Sequence, residues 1–143
     1  MNNTYIKDYT NSFLINNHEY IVTAPARFDR KTDELVDDLE LDDIANEIAE
    51  QLYRDDTGLV SPADIKKYRN NIKLTQLEFT KLLGWHQNTV ALYEVGAFPS
   101  EADNKVLKAL MKNNDFLSGL LADDDKVPDK VANRITAFLN GEN

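Results

Sequence analysis

The chain has 143 residues, of which 29% are charged, and it carries a formal net charge of -9. This length allows one domain or two small ones, and the absence of cysteine excludes disulfides and thiolate metal sites. No apolar run is long enough to cross a membrane, and the N-terminus lacks the basic and then apolar order of a signal peptide. We therefore expect a cytoplasmic protein without a membrane partner.

The first part of the chain predicts a β-hairpin. Two apolar, β-prone runs at residues 12–15 and 19–22 flank a pair of asparagines, Asn16 and Asn17. Asparagine tolerates the positive φ that a tight hairpin turn requires. Pro25 is expected to end the second strand or to lie at an edge, because proline has no N–H group for the ladder.

An acidic stretch then leads into a predicted helix. Residues 33–43 carry seven acidic side chains. This composition is typical of a solvated loop, with one of its last two aspartates as the helix cap, or of a surface that meets a basic partner. A helix from Asp43 to about Arg54 is predicted by apolar residues at every fourth position, namely Ile44, Ile48 and Leu52. A polar run ending in glycine closes this acidic N-terminal domain, residues 1–58.

Residues 74–96 predict two short helices joined by a tight turn. Thr75 and Glu78 have the spacing of a capping box at the start of the first helix, and Gly84 supplies the left-handed residue that ends it. The second helix is predicted over residues 87–94. Its inward residues are Val90 and Tyr93, and its outward residues are Gln87, Asn88, Ala91 and Leu92. Such a helix-turn-helix can place its second helix in the major groove of DNA.

Further helices are predicted on both sides of this unit. Ser61 and Pro62 are residue types that begin a helix, and the outward face of that helix is expected to include Arg69. Ser100 is a good cap for a helix over residues 101–112. The helices on either side of the turn can therefore enclose one small core together with the helix-turn-helix.

The predicted fold class is α+β, mostly α. A small β-hairpin and helix domain is followed by a domain of four to five helices at residues 59–112. A C-terminal helical extension is expected at residues 113–143, with Arg134 on its surface.

The positive charge of the chain is concentrated on the helix-turn-helix segment. Residues 1–60 hold five basic and fourteen acidic side chains, whereas residues 61–112 hold eight basic and five acidic ones. Residues 113–143 hold three and six. Because the local field at a binding surface matters more than net charge, the acidic total does not exclude a DNA-binding function.

Several short motifs in this region match a known family pattern. They are Leu74-Thr75-Gln76, Phe79-Thr80, Leu83-Gly84, Thr89-Val90 and Tyr93-Glu94-x-Gly96. On these residues the chain resembles the XRE, or lambda-repressor-like, family of helix-turn-helix regulators. Residues 61–69 and 96–110 look like the C-terminal domain of MqsA-type antitoxins. The N-terminal zinc site of those antitoxins has no counterpart here, because its two Cys-x-x-Cys pairs are missing.

The resemblance and the side-chain chemistry together give the expected DNA contacts. Asn88 matches a base-reading asparagine of the antitoxin motif, and its amide, like that of Gln87, can pair with adenine N6 and N7. Leu92 can contact a thymine methyl group but cannot bind guanine, so we expect sites that contain A·T pairs. Gln76 is similar to the phosphate contact of the family. The other expected contact residues are Lys73, Lys81, His86, Thr89, Ala91 and Lys105.

No catalytic constellation is found in the sequence. The chain has two histidines far apart, no cysteine and no Gly-rich phosphate loop, so we expect no enzymatic activity, no cofactor and no metal site.

Three functions remain open. The first is a homodimeric, sequence-specific transcriptional repressor that is also a type II antitoxin. It would bind a palindromic operator in its own promoter and, through its acidic N-terminal domain, a toxin. The second is a stand-alone XRE regulator of phage or plasmid origin. The third is an interaction module whose helix-turn-helix does not bind DNA, which Leu92 and the acidic balance favour.

Overall fold

The computed structural model describes residues 3–141, and these form an α+β protein that is mostly α. A three-stranded antiparallel sheet at the N-terminal end is followed by seven helices in the described part of the chain. The predicted fold class is therefore confirmed. The chain divides into two compact units, the first ending at Gly58 and the second beginning at Leu59.

The first unit is built on a long β-hairpin. Strands β1 (Thr4–Ile15) and β2 (His18–Asp29) pair antiparallel along their whole length. Asn16 and Asn17 both have positive φ, 47° and 69°, as a two-residue hairpin turn requires. Pro25 lies inside β2 and does not end it. It is tolerated because the third strand, β3 (Leu35–Val36), pairs only with Arg27 and Phe28, so β2 has a neighbour on one side only at the proline.

Helix α1 (Leu39–Thr57) packs on one face of this hairpin. Its N-cap is Asp38, whose side chain accepts a hydrogen bond from the Leu41 N–H at 3.1 Å. The helix therefore begins four residues earlier than predicted, and residues 33–43 contain β3 and the first turn of α1 and are not a loop throughout. The core of the unit is small. One cluster consists of the buried residues Val22, Ala24 and Ala49, with Phe13, Ile15 and Ala45 packed against them. Ala26 and Phe28 of β2 are also buried.

The second unit contains six helices around one core within the described residues. They are α2 (Pro62–Ile72), α3 (Gln76–Leu83), α4 (Thr89–Glu94), α5 (Glu101–Lys112), α6 (Asp115–Asp123) and α7 (Asp129–Leu139). Each helix contributes at least one buried aliphatic or aromatic side chain, including Ile65, Phe79, Val90, Leu107, Leu117 and Ile135. The C-terminal helices thus complete the same core that holds the helix-turn-helix.

Over residues 3–141, no helix combines the length and the apolar character that crossing a bilayer requires.

Candidate nucleic-acid interface

Helices α3 and α4 and the turn between them form the predicted helix-turn-helix. Both bonds of the capping box are present, since the Glu78 N–H donates to Thr75 Oγ1 at 3.1 Å and the Thr75 N–H donates to Glu78 Oε1 at 2.9 Å. Gly84 ends α3 with φ 71°. The Gly84 and Trp85 N–H groups donate back to the carbonyls of Lys81 and Thr80, which satisfies the end of the helix.

The second helix is shorter than the sequence pattern indicates. The Thr89 N–H donates to the His86 carbonyl at 2.9 Å and closes a turn, and the first helical bond runs from the Leu92 N–H to the Asn88 carbonyl at 3.0 Å. The predicted start of the helix at Gln87 is therefore wrong by two residues. His86, Gln87 and Asn88 lie in the turn just before α4, and all three are exposed.

The inner face of α4 is fixed by two buried side chains. Val90 is fully buried, and Tyr93 is buried with contacts to both its ring and its hydroxyl group. Its ring packs edge-on against Trp85, with the centroids 5.9 Å apart, and its hydroxyl donates to Asp103 Oδ2 at 2.6 Å. Burial and the hydrogen bond to Asp103 both raise the pKa of Tyr93 above its ordinary value. These contacts determine which face of α4 points away from the core.

A buried ion pair ties α4 to α2. Arg69 Nε donates to Glu94 Oε2 at 2.7 Å and Arg69 Nη2 donates to Glu94 Oε1 at 2.9 Å. The two side chains are only 11% and 3% exposed, so the prediction that Arg69 faces outward is wrong. Burial opposes ionisation of Glu94, but the hydrogen bonds from Arg69 and Gln76 outweigh it, and the pKa of Glu94 is lowered.

Gln76 connects the start of α3 to this ion pair. Its Nε2 donates to Glu94 Oε1 at 3.2 Å, while the residue as a whole is exposed. The structure thus places Gln76 at the junction of the two helices of the motif. Its expected contact with a phosphate stays a prediction.

The outward surface at α4 is formed by the N-cap residue Asn88, by Leu92 and by the C-cap residue Val95. Asn88 makes no capping hydrogen bond, so its amide is not used to hold the helix. Leu92 is 54% exposed and Val95 is 81% exposed, while Thr89 and Ala91 are half-buried. The sequence prediction missed Val95, although its position three residues after Leu92 places it on the same face.

The lysines of this region are available to solvent. All seven lysines between residues 61 and 112 are exposed, including Lys73, Lys81 and Lys105. Among the residues that the structure describes, only Lys105 of these seven forms an ion pair, with Glu101 at 3.5 Å. Both partners of that pair are largely exposed, so it contributes little. Because Glu78, Glu94 and Asp103 are engaged inside the unit, the solvent-facing charge of this segment is more positive than its residue count indicates.

Helix α7 is clamped to the helix-turn-helix by Arg134, which was expected on the surface. Arg134 Nη1 and Nη2 donate to the two carboxylate oxygens of Glu78 at 2.8 and 3.0 Å, and Nη1 also donates to the Lys73 carbonyl at 2.8 Å. The pKa of Glu78 is lowered, first by the bond from Arg134 and then by the backbone of Thr75. The C-terminal helix therefore supports the capping box from outside.

In comparisons with protein-family models, curated proteins and solved structures, no significant match to the chain was found.

Proposed function

We propose that the second unit is a sequence-specific, double-stranded-DNA-binding module of the XRE type and that the protein is a transcriptional repressor. The observation that carries this proposal is the outward face of α4. The Asn88 amide at the N-cap, Leu92 and the C-cap residue Val95 are exposed, and the opposite face of α4 is fixed by Val90, Tyr93 and the Arg69–Glu94 ion pair. A rigid, outward-facing helix of this kind is suited to the major groove.

The residue types on this face favour A·T pairs. The Asn88 amide offers a donor and an acceptor, which match adenine N7 and N6 in a bidentate contact. Leu92 and Val95 offer methyl groups that complement the C5 methyl of thymine. Gln87, which lies in the turn, is a second candidate for adenine, whereas no arginine stands on this face to bind guanine.

Lysines on the same unit supply the contacts to phosphate. Lys73, Lys81 and Lys105 are exposed, and the other candidates are Gln76, His86 and Thr89. Since the whole chain carries a formal charge of -9, its attraction to DNA of arbitrary sequence is weak and disappears readily with salt. We therefore expect the protein to bind its specific DNA site while its affinity for other DNA sequences is low.

A homodimer on a palindromic operator is the arrangement that we propose. A six-residue recognition helix contacts few base pairs, and two copies related by two-fold symmetry double the number of contacts and the length of the site. Binding to two half-sites about one helical turn apart is the usual solution for this motif.

The separate acidic unit favours a second role as a type II antitoxin that regulates its own operon. This unit holds five basic and fourteen acidic residues, a balance that opposes DNA binding and suits a basic protein partner. A toxin encoded beside this chain is the candidate partner. Co-expression with the product of the adjacent gene tests this role, which requires both a stable complex and restored growth.

A gel-shift titration with the DNA upstream of the protein's own gene tests the DNA-binding proposal. We expect a specific complex that Asn88→Ala abolishes and that Asn133→Ala leaves unchanged, since Asn133 is an exposed asparagine on α7. Circular dichroism checks that both variants keep the fold. A wild-type chain that binds no fragment of this DNA would favour an interaction module with an inactive helix-turn-helix.

A further inference from the structure

Helix α1 of the first unit carries a row of exposed aliphatic side chains. Ile44, Ile48 and Leu52 are 45%, 40% and 39% exposed. They lie four residues apart, so they form one continuous ridge along the helix. The side of α1 that packs on the sheet includes Ala45 and Ala49, whose small size allows close approach to the hairpin, and Tyr53, whose ring contacts His18 and Tyr20. The ridge therefore does not take part in the core of this unit.

The ridge contrasts with the buried side of the unit. The buried apolar residues are Val22, Ala24, Ala26, Phe28 and Ala49, and all of them except Ala49 lie on β2. The three aliphatic residues of the ridge remain 39–45% exposed. Single exposed aliphatic side chains are ordinary, but a contiguous ridge of them marks an interaction site.

The ridge is bordered by carboxylates on its solvent side. Glu40 precedes Ile44 by four residues, Glu47 follows it by three, and Asp55 follows Leu52 by three, so each lies beside the ridge on the helix surface. The one basic residue of α1, Arg54, is buried. The flank of the ridge that faces away from the sheet is thus rich in carboxylates, in a unit with an excess of nine acidic residues, whereas Ala45 and Ala49 lie on the other flank.

The charge pattern selects the occupant. If a second copy of α1 packed antiparallel on the ridge, the two acidic flanks would lie on the same side of the contact, and like charges across an interface are destabilising. A helix with an aliphatic row bordered by lysine or arginine would instead place opposite charges along this acidic flank. Its own i±4 ridges and grooves would fit the ridge of α1.

We propose that the ridge formed by Ile44, Ile48 and Leu52 is the docking site for an amphipathic helix of a protein partner, with basic residues beside its aliphatic row. This inference concerns the first unit and does not depend on DNA binding by the second. The acidic composition of the unit alone specifies neither this face of α1 nor the chemistry of the partner.

Two designed helical peptides test the proposal on the full-length chain. Both carry leucine at every fourth position, and the leucine row is bordered by lysine in one peptide and by glutamate in the other. We expect the lysine peptide to bind at least about tenfold more tightly, a difference of about 1.4 kcal/mol. We also expect its affinity to fall as salt is added, because the border charges are exposed. Fluorescence anisotropy of the labelled peptides measures both effects.

Substitutions on and off the ridge locate the site. Ile48→Gln should weaken binding of the lysine peptide at least about fivefold. Ile21→Gln should not change it, because Ile21 is an exposed aliphatic residue on the hairpin face opposite α1. Ile21→Gln should leave the midpoint of urea unfolding unchanged, and Ile48→Gln should lower it only slightly, since Ile21 is 62% and Ile48 40% exposed. Operator binding should also persist in Ile48→Gln, and peptide binding should persist in Asn88→Ala, which separates this proposal from the proposed function.

Three results would overturn the proposal. One is equal affinity for the two peptides, or no binding of either, because charge then does not select the partner. Another is a chain dimer that Ile48→Gln dissociates in light scattering, since the occupant is then a second copy. The last is a marked loss of stability in Ile48→Gln, which would show that the ridge is covered within the chain itself.

Discussion

Arg69 and Glu94 form a two-pronged ion pair in which both side chains are almost fully removed from solvent, with donor–acceptor distances of 2.7 and 2.9 Å. The pair joins α2 to the end of α4, and Arg69 Nη1 also donates to the Leu74 carbonyl at 2.9 Å. A single arginine therefore fixes the end of α4 and the entry to the helix-turn-helix. The orientation of the proposed DNA-binding face depends on this contact.

Removing one partner of this ion pair should destabilise the chain strongly. In Arg69→Ala the carboxylate of Glu94 is left buried without its main partner, and we expect a loss of roughly 3–5 kcal/mol in the free energy of unfolding. The double variant Arg69→Met with Glu94→Leu removes both charges and should lose much less. Urea unfolding followed by circular dichroism measures both. A single variant within about 1 kcal/mol of the wild type would contradict the structure.

Stability should decrease as the pH is lowered below the ordinary pKa of glutamate. The pKa values of Glu78 and Glu94 are lowered in the folded chain, because Arg134 and Arg69 stabilise the carboxylates. Groups with a lowered folded pKa stabilise the native state above their unfolded pKa, about 4.3, and lose this contribution as they are protonated. Urea midpoints between pH 7 and pH 3 should therefore fall at the acidic end. In Arg69→Met with Glu94→Leu the urea midpoint should fall less between pH 7 and pH 3. A fall as large as in the wild type would show that Glu94 does not contribute to the pH dependence.

Lys73→Gly should stabilise the chain. Lys73 ends α2 with φ 66°, a left-handed conformation that glycine adopts without strain and lysine does not. The bond from Arg134 to its carbonyl is a backbone contact and remains in the variant. We expect a gain of about 0.5–1 kcal/mol. Asn71→Gly, in the last turn of the same helix, is the matched control and should lose roughly a few tenths of a kcal/mol. Equal effects of the two substitutions would be inconsistent with the cap.

Lys81→Gln should weaken DNA binding by the same factor for every sequence. A lysine that contacts phosphate carries no sequence information, so the ratio of specific to non-specific affinity should stay constant. The slope of log K against log salt should also fall by about one. Lys7→Gln, which removes an exposed lysine from the first unit, is the charge-matched control. If the slope is the same in Lys81→Gln and in the wild type, Lys81 does not contact DNA.

The features that sequence predicted well are those encoded by neighbouring residues. The hairpin follows from two adjacent asparagines, and the ends of α3 follow from a capping box and a glycine within ten residues. Such signals act through local backbone geometry and do not depend on the rest of the fold.

The features that sequence missed depend on residues far apart in the chain. Arg69 and Glu94 are 25 residues apart, and Glu78 and Arg134 are 56 residues apart. Beside two lysines, an arginine on a helix resembles a solvated side chain until its partner is known. The periodicity of α1 likewise predicts a helix, but it does not reveal that Ala45 and Ala49, and not Ile44 and Ile48, pack on the sheet.

The most direct test of DNA recognition by this protein is a double-mutant cycle between Asn88 and the adenines of the proposed operator. Replacing the contacted adenine by 7-deazaadenine removes the N7 acceptor and should weaken wild-type binding about tenfold. In Asn88→Ala the same replacement should have no further effect, because the amide that used N7 is absent. If the losses of binding free energy from Asn88→Ala and from the base replacement simply add for every adenine of the operator, Asn88 does not contact adenine N7, and the proposed recognition of DNA by the start of α4 is contradicted.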